Sequence, residues 1–363
     1  APGAKVRLDG REVLLLCSND YLGLAGHPAV RAAAAEAARR WGAGAGASRL
    51  VSGNLALHDR LEAELAAFKG TEACVLFGSG YLANIGVICA LAGRDDVVLS
   101  DARNHASIID GCRLARAETV VYEHGDLDAL AGALRRTSGR RALIVTDAVF
   151  SMDGDVAPLE GIVELARRHG ARIVLDEAHA TGVIGPGGRG LAGELGLECE
   201  IDVVVGTLGK ALGSYGAFAA CTRPMAAFLL NRARTAIFST ALPPPAVGAA
   251  LEALALVRDD PALLERLHAN ARTLREALAA QGLRTHPGGD ASMPIVPIVI
   301  GDPQAAMAVC EAALARGVFA QAIRPPTVPP GTSRLRLVAT AAHEQADLRA
   351  AAATLGAVAS GRG

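Results

Sequence analysis

Lysine is nearly missing from this chain. Of its 36 basic side chains only three are Lys, at positions 5, 69 and 210, and the rest are Arg. Long apolar runs are missing too. Hydrophobic residues make up 51%, yet no stretch approaches the length that spans a bilayer. The opening APGAKVRLDG lacks the apolar core of a signal peptide. These absences lead to the expectation of a soluble, cytoplasmic protein. An excess of charge is also missing. The net charge is −1 with acids and bases interspersed, which gives no electrostatic case for nucleic acid or an anionic membrane. No C-x-x-C occurs. The seven cysteines are scattered, odd in number and mostly in apolar runs. They read as buried reduced thiols, not as a disulfide frame or a zinc site.

The scarcity of lysine makes each one informative. Arg does not lose its proton near neutrality and does not form imines, whereas Lys does both. Lys5 lies near a terminus. Lys69, in ELAAFKG, reads as an ordinary basic residue at a helix end followed by Gly. Lys210 alone follows an apolar strand, in the glycine-rich turn of IDVVVGTLGKALGS (201–214). That turn is not a P-loop, because only two residues separate Gly206 from Gly209 and Ala211 follows the lysine.

Around that turn the chain alternates short strands with helices. The expected strands are 73–77, 96–100, 119–122, 142–147, 172–176, 201–207 and 216–221. Helical stretches near 82–92, 105–116, 126–136 and 159–169 lie between them. This predicts an α/β fold, with a large, mainly parallel sheet and helices on both faces. A short strand and turn (12–24) and a helix (29–41) come first. LPPPA (242–246) opens the last third, where long helices run to about 282. A strand (294–301), a helix (303–317), a strand (334–341) and a terminal helix then predict a smaller α+β C-terminal domain. The expected division is 1–46 as an N-terminal segment, 47–240 as the large domain and 241–363 as the small one.

Loops after parallel strands share one edge of a sheet, where ligands bind. Here those loops carry GSGY (78–81), DARNH ending at His105, AVFSMDGD with Ser151 and Asp153, DEAH with Asp176 and His179, and GTLGK with Thr207 and Lys210. Pyridoxal phosphate explains the set jointly. It needs a lysine for its aldehyde, a carboxylate facing its ring nitrogen, a flat group on its ring face, and amides and hydroxyls around its phosphate. Lys210, Asp176, His105, Gly80 with Tyr81, and Thr207 suit those roles. Taken singly, Asp176 reads as a turn residue, His105 as a solvated helix start, and Gly80 with Tyr81 as the end of a strand. His179 alone suggests a metal ligand, but no His or Cys has fitting spacing. Two dinucleotide decoys, WGAGAGAS (41–48) and VIGPGGRG (183–190), lack the strand–turn–helix context.

With these residues in place, the chain resembles the α-oxoamine synthases, a family of fold-type I pyridoxal-phosphate enzymes. The matches run nearly end to end. They include SNDYLGL (18–24), GAGASRLVSGN (44–54), HDRLE (58–62), FGSGYLAN (77–84), NHASIID (104–110) and VFSMDGD (149–155). DEAHATGVIGPGGRG (176–190), VGTLGKALG (205–213), FSTALPP (238–244) and AIRPPTVPPGTSRLRLVATAAHE (322–344) continue the register. The resemblance implies a homodimer with active sites at its interface, and acyl transfer from a thioester to an amino acid. It implies Lys210 as the attachment point and later the base, Asp176 on the ring nitrogen and His105 on the ring face. His179 and Ser151 would lie on the ring-hydroxyl side. Gly80, Tyr81, Thr207, and Ser239 or Thr240 from the partner would hold the phosphate. Asn19 and Arg324 would orient the amino-acid carboxylate, and Thr327 would also bind substrate.

SRLVSG (48–53) and IRPPTVPPGTSRLRL (323–337) place the resemblance on the branch acting in biotin synthesis. That branch joins L-alanine to pimeloyl-CoA or a pimeloyl carrier-protein thioester. Family members carry a longer basic segment before the strand near Val6, with an Arg near the substrate. The sequence opens after that point, which leaves acyl binding unassigned. Competing readings are a synthase using glycine or another acyl thioester, a fold-type I aminotransferase, and a non-catalytic protein that kept the fold.

Overall fold

The computed structural model describes residues 3–285 and 291–361. It begins with a hairpin, β1 (Lys5–Leu8) antiparallel to β2 (Arg11–Leu15), turned by Asp9 and Gly10 at positive φ. Seven strands follow: β3 (Ala73–Phe77), β4 (Val97–Asp101), β5 (Glu118–Tyr122), β6 (Ala142–Asp147), β7 (Arg172–Asp176), β8 (Val203–Thr207) and β9 (Ala217–Cys221). The last third adds β10 (Ile295–Gly301), β11 (Val318–Phe319), β12 (Gln321–Ile323) and β13 (Ser333–Val338).

Two compact units emerge. The larger comprises 28–150 and 157–259, and the smaller 1–27, 151–156 and 260–363. The helices Pro28–Trp41 and Pro244–Asp259 both group with the larger unit. They approach closely at Gly248, where a Cβ would meet the Ala37 methyl at 2.6 Å.

The larger unit is built on the sheet β3-β9-β8-β7-β6-β4-β5. β9 runs antiparallel to both neighbours and every other pair is parallel. The inner strands are near-continuous apolar runs such as LIVT and VVV, as a sheet covered on both faces requires. Val75, Val87, Ile88, Val145, Val203 and Val205 form the centre of one core and are fully buried. Each such side chain contributes about 1.5–3 kcal/mol relative to an exposed one. Gly206 is required where β8 passes β9, because a Cβ there would lie 2.3 Å from the Phe218 ring.

In the smaller unit β13 lies between β10 and β12, antiparallel to both, while β11 extends the N-terminal hairpin through β2. Helices Ala262–Ala280, Pro303–Ala315 and Gln345–Ala359 supply its apolar cluster with Leu16, Val296, Leu335 and Leu355. The expected elements appear within a few residues of their predicted bounds, except that β11 and β12 fall where no strand was expected. They have two and three residues, too few for a periodic signal.

The cysteines partly depart from expectation. All seven are free, but only Cys74, Cys112 and Cys221 are buried, and Cys199 is exposed. Among the described residues no helix is long and apolar enough to cross a membrane.

Candidate active site

The parallel strands of the larger unit end on a common edge, and chemistry-bearing residues follow those ends closely. Asp176 is the last residue of β7, and Asp147 the last of β6. His105 lies four residues past the end of β4, and Lys210 three past the end of β8. Together with Gly80, Tyr81, Ser107, Ala178, His179 and Thr207 they line one cavity of about 170 Å³.

Hydrogen bonds fix most of these groups. The Lys210 amine meets His179 Nε2 at 2.8 Å. Asp176 accepts from Asn84 Nδ2 at 2.6 Å and from the Ala178 amide at 2.8 Å. Asn84 also reaches Ser107 Oγ at 2.9 Å. His105 caps the helix Ala106–Ala115, and its Nδ1 accepts from the Ser107 amide at 3.2 Å. A ring nitrogen that accepts cannot carry the proton, so Nε2 does. Burial holds His105 below its ordinary pKa, and the Lys210 charge acts the same way against the opposing pull of Asp176. Burial also pushes the Asp147 carboxyl well above the usual carboxylate range, reinforced by Asp176.

Phosphate-sized anions suit the start of the helix Gly80–Leu91. Ser79 caps it by accepting from the Leu82 amide at 3.2 Å, and the first amides of a helix have no intrahelical acceptor. Thr207 Oγ1 donates to Gly216 O at 3.1 Å and accepts from the Gly209 amide at 3.2 Å. It therefore shapes the turn that carries Lys210.

Of the residues singled out by sequence, Gly80, Tyr81, His105, Asp176, His179, Thr207 and Lys210 thus share a cavity. Ser239 and Thr240 do not line it. They border a separate small cavity with Arg49 and Gly78, and Thr240 bridges Ser48. Asn19, Ser151, Arg324 and Thr327 belong to the smaller unit. Arg324 and Thr327 are exposed there, in the turn that contains the cis Pro325–Pro326 bond.

Three residues were missed or misread. Arg336, on β13, is 7% exposed and donates to Asn19 Oδ1 (3.1 Å) and to the Ser151 carbonyl. Among the described residues its Nη2 is buried without a hydrogen-bond partner. A buried guanidinium with an unanswered amino group is a carboxylate-binding group by chemistry. The signal was the pair of arginines two apart within apolar RLRLV, on one face of a strand. The other member, Arg334, is ion-paired with Asp153. Asp147 was read only as the end of a strand. Lys69 is the third, and its reading as a helix-end base is corrected. Gly70 does cap the helix in the left-handed region (φ 70°), but Lys69 turns inward, 2% exposed. Its amine contacts Glu177, Thr181 Oγ1 and the Arg189 carbonyl. The inward turn follows from Glu177, a fully buried carboxylate that needs a countercharge.

A larger cavity, about 570 Å³, opens at the opposite, amino edge of the same sheet beside Asp96, Arg141 and Arg172. Arg141 is held there by Asp96 at 2.7 and 3.0 Å. It contains no amine, imidazole or hydroxyl–base pair, so chemistry favours the smaller cavity.

The aminotransferase class I and II family matches residues 11–355. A protein named 8-amino-7-oxononanoate synthase from Anaeromyxobacter dehalogenans (strain 2CP-1) is 55% identical over 358 residues, 99% of this chain and 89% of that one. One of the same name from Geobacter sulfurreducens is 52% identical over 357 residues, 97% of this chain and 90% of that one. Among solved structures, a serine palmitoyltransferase from S. paucimobilis with bound PLP and myriocin aligns at TM-score 0.95. It is 35% identical and covers 99% of this chain and 90% of that one. The 8-amino-7-oxononanoate synthase of Francisella tularensis aligns at TM-score 0.81 and 26% identity, covering 95% and 97%.

Proposed function

The chain belongs to the aminotransferase class I and II family, and from that premise we propose that it joins L-alanine to a pimeloyl thioester. The products are 8-amino-7-oxononanoate, CO2 and the free thiol. The observation that carries this reading is 55% identity, over 99% of the chain, to a protein named for that product. Identity to the serine palmitoyltransferase is lower, at 35%.

The residues of the cavity fit pyridoxal phosphate. An amine, an anchored carboxylate, a neutral imidazole and a helix start line one space of about 170 Å³. When bound, the cofactor supplies an electron sink for charge developing at the amino acid's Cα. Lys210 would be the covalent attachment point, and its amine would then take the Cα proton. Asp176, held by Asn84 and the Ala178 amide, would keep the ring nitrogen protonated. His105 would cover the ring face, while His179 and Ser151 would serve its hydroxyl side. The amides of Gly80 and Tyr81, with Thr207, would hold the phosphate. Arg336 takes the amino acid's carboxylate, oriented by Asn19. The exposed Arg324 and Thr327 are assigned to the acyl substrate, as CoA or carrier-protein thioester. A new Cα–acyl bond would form as the thioester C–S bond breaks and the thiol leaves; the Cα–carboxylate bond would be lost as CO2, and the proton held by Lys210 would return to Cα.

Ser239 or Thr240 reaches the phosphate of a second copy of the chain. Phe238 beside them is 70% exposed and Val51 78% exposed, and large apolar side chains this open mark a contact surface. A dimer in sedimentation, lost in Phe238→Glu, is the expected result.

The reaction is tested by mixing purified protein with L-alanine or glycine, each with pimeloyl-CoA or succinyl-CoA. Release of CO2 and thiol is expected with L-alanine and pimeloyl-CoA. Rapid release with glycine and succinyl-CoA alone would sink the reading.

A further inference from the structure

β6 and β7 both end in aspartate, and the two residues are register partners, Asp147 opposite Asp176. In-register residues of adjacent parallel strands project to the same side, with backbones about 4.8 Å apart. Both aspartates are only 4% exposed, and both line the Lys210 cavity. Two buried carboxylates this close resist being ionised together.

The donors around them decide which one keeps the charge. Asp176 receives two N–H groups, from Asn84 and Ala178, one on each oxygen. The Asp147 side chain accepts the His105 amide, on Oδ2 at 2.7 Å. We propose that Asp147 is a positioning residue of this site, its carboxyl protonated beside the doubly hydrogen-bonded Asp176. Its accepting oxygen pins the backbone of His105. Asn104 adds two further ties across the same strands, accepting from the Asp147 amide at 3.0 Å and donating to Val145 O at 2.8 Å. His105 is thereby fixed to β6 at its amide, while its ring stays free to face the cavity.

The charges bearing on Asp147 are Asp176 and Asp101, which favour its proton, and Lys210, which opposes it. Burial outweighs the Lys210 contribution. A single negative charge then remains on the carboxylate assigned to the ring nitrogen. That last consequence rests on the cofactor reading; the place of the proton does not.

The proton is therefore tested without cofactor. Carboxyl-13C aspartate is incorporated, and the apo-protein is followed by NMR at pH 7. One aspartate signal in the protonated position is expected, and Asp147→Asn should remove it. Absence of such a signal, or its persistence in the variant, overturns the proposal. With cofactor added, Asp147→Asn keeps both the neutral state and the accepting oxygen. The pH midpoint of its absorbance band should stay within about threefold in proton affinity of the parent. Asp147→Ala loses the acceptor for the His105 amide, and cofactor affinity should drop about tenfold. A tenfold midpoint change in Asp147→Asn would overturn the proposal. Failure of both proteins to bind pyridoxal phosphate would instead overturn the cofactor reading and leave the apo-protein result standing.

Discussion

The two internal lysines show what rarity alone can teach. Lys69 and Lys210 are both exceptional in a chain that otherwise uses Arg, and both sit in the larger unit. Around Lys69 three oxygens converge, those of Glu177, Thr181 and Arg189. An ammonium has three protons, so each has an acceptor and the nitrogen has no role left but charge. Lys210 meets an imidazole nitrogen instead, in a cavity lined by Asp147 and Asp176. One amine is a strut and the other faces a ligand-sized space. They also share a turn: Asp176 faces the cavity of Lys210, and the next residue, Glu177, pairs with Lys69. Scarcity marked both as demanding an explanation, and only the position after a strand separated them.

Two substitutions test that separation most strongly. Lys210→Ala should abolish the covalent pyridoxal-phosphate adduct and lower turnover by about a thousandfold or more. Its unfolding free energy should move by less than about 1 kcal/mol. Peptide mapping after borohydride treatment reads the adduct; label on Lys69 would break the comparison. Lys69→Ala should do the reverse. It strands a buried Glu177 and should cost about 3–5 kcal/mol in urea unfolding, with the adduct still on Lys210 in the folded fraction. The double replacement Lys69→Met with Glu177→Leu should recover part of that loss, because it removes both charges.

Much of this arrangement was legible in the sequence. Strands such as RIVLD and ALIVTD announce themselves by β-branched runs, and their ends fall where ligands gather in an open α/β sheet. Lys210 and His105 were readable because each stands just past such a run, and Asp176 because it opens DEAH beside His179. Asp147 closes its strand in the same way, but no imidazole or amine follows it closely, so it read as part of the strand. Arg336 was hidden for the opposite reason: the apolar residues around it disguised a buried charge. Lys69 escaped because its partner lies 108 residues away, and no local pattern predicts a pairing at that separation. The short β11 and β12 likewise depend on partner strands rather than on their own few residues.

The buried His343 shows what burial does when it outweighs a neighbouring carboxylate. Its Nδ1 accepts from the Thr340 amide at 2.9 Å and its Nε2 donates to Leu15 O at 3.1 Å. Burial lowers its pKa from 6.5 to about 4, against smaller opposing effects of Leu15 and Asp347. The unfolded chain binds a proton below pH 6.5, while the folded chain resists until about 4. Its contribution to stability is therefore complete above the unfolded value and is lost as pH falls between the two. The difference is worth about 3 kcal/mol. Urea unfolding at pH 7.5 and 4.5 should show a smaller acid-side loss in His343→Gln than in the parent. An equal loss in both would mean that His343, unlike Lys69, is indifferent to its surroundings.

The smallest effects concern the glycines beside each lysine's partners. Gly190 has φ +104°, and a Cβ there would stand 1.9 Å from a Glu177 carboxylate oxygen. Alanine must push that carboxylate away from Lys69 as well as adopt a strained backbone, at about 1–3 kcal/mol. A Cβ on Gly209, next to Lys210, would meet nothing closer than 3.6 Å, and its φ is not positive. Gly209→Ala should change stability by no more than about 0.5 kcal/mol, and a slight gain is expected from the stiffer unfolded chain. Thermal unfolding of the two variants side by side measures the contrast. Equal losses would mean that the turn holding Lys210 is packed as tightly as the one around Lys69. A strut needs close packing because its partner charge is buried. An amine that must exchange partners during a reaction needs space around it.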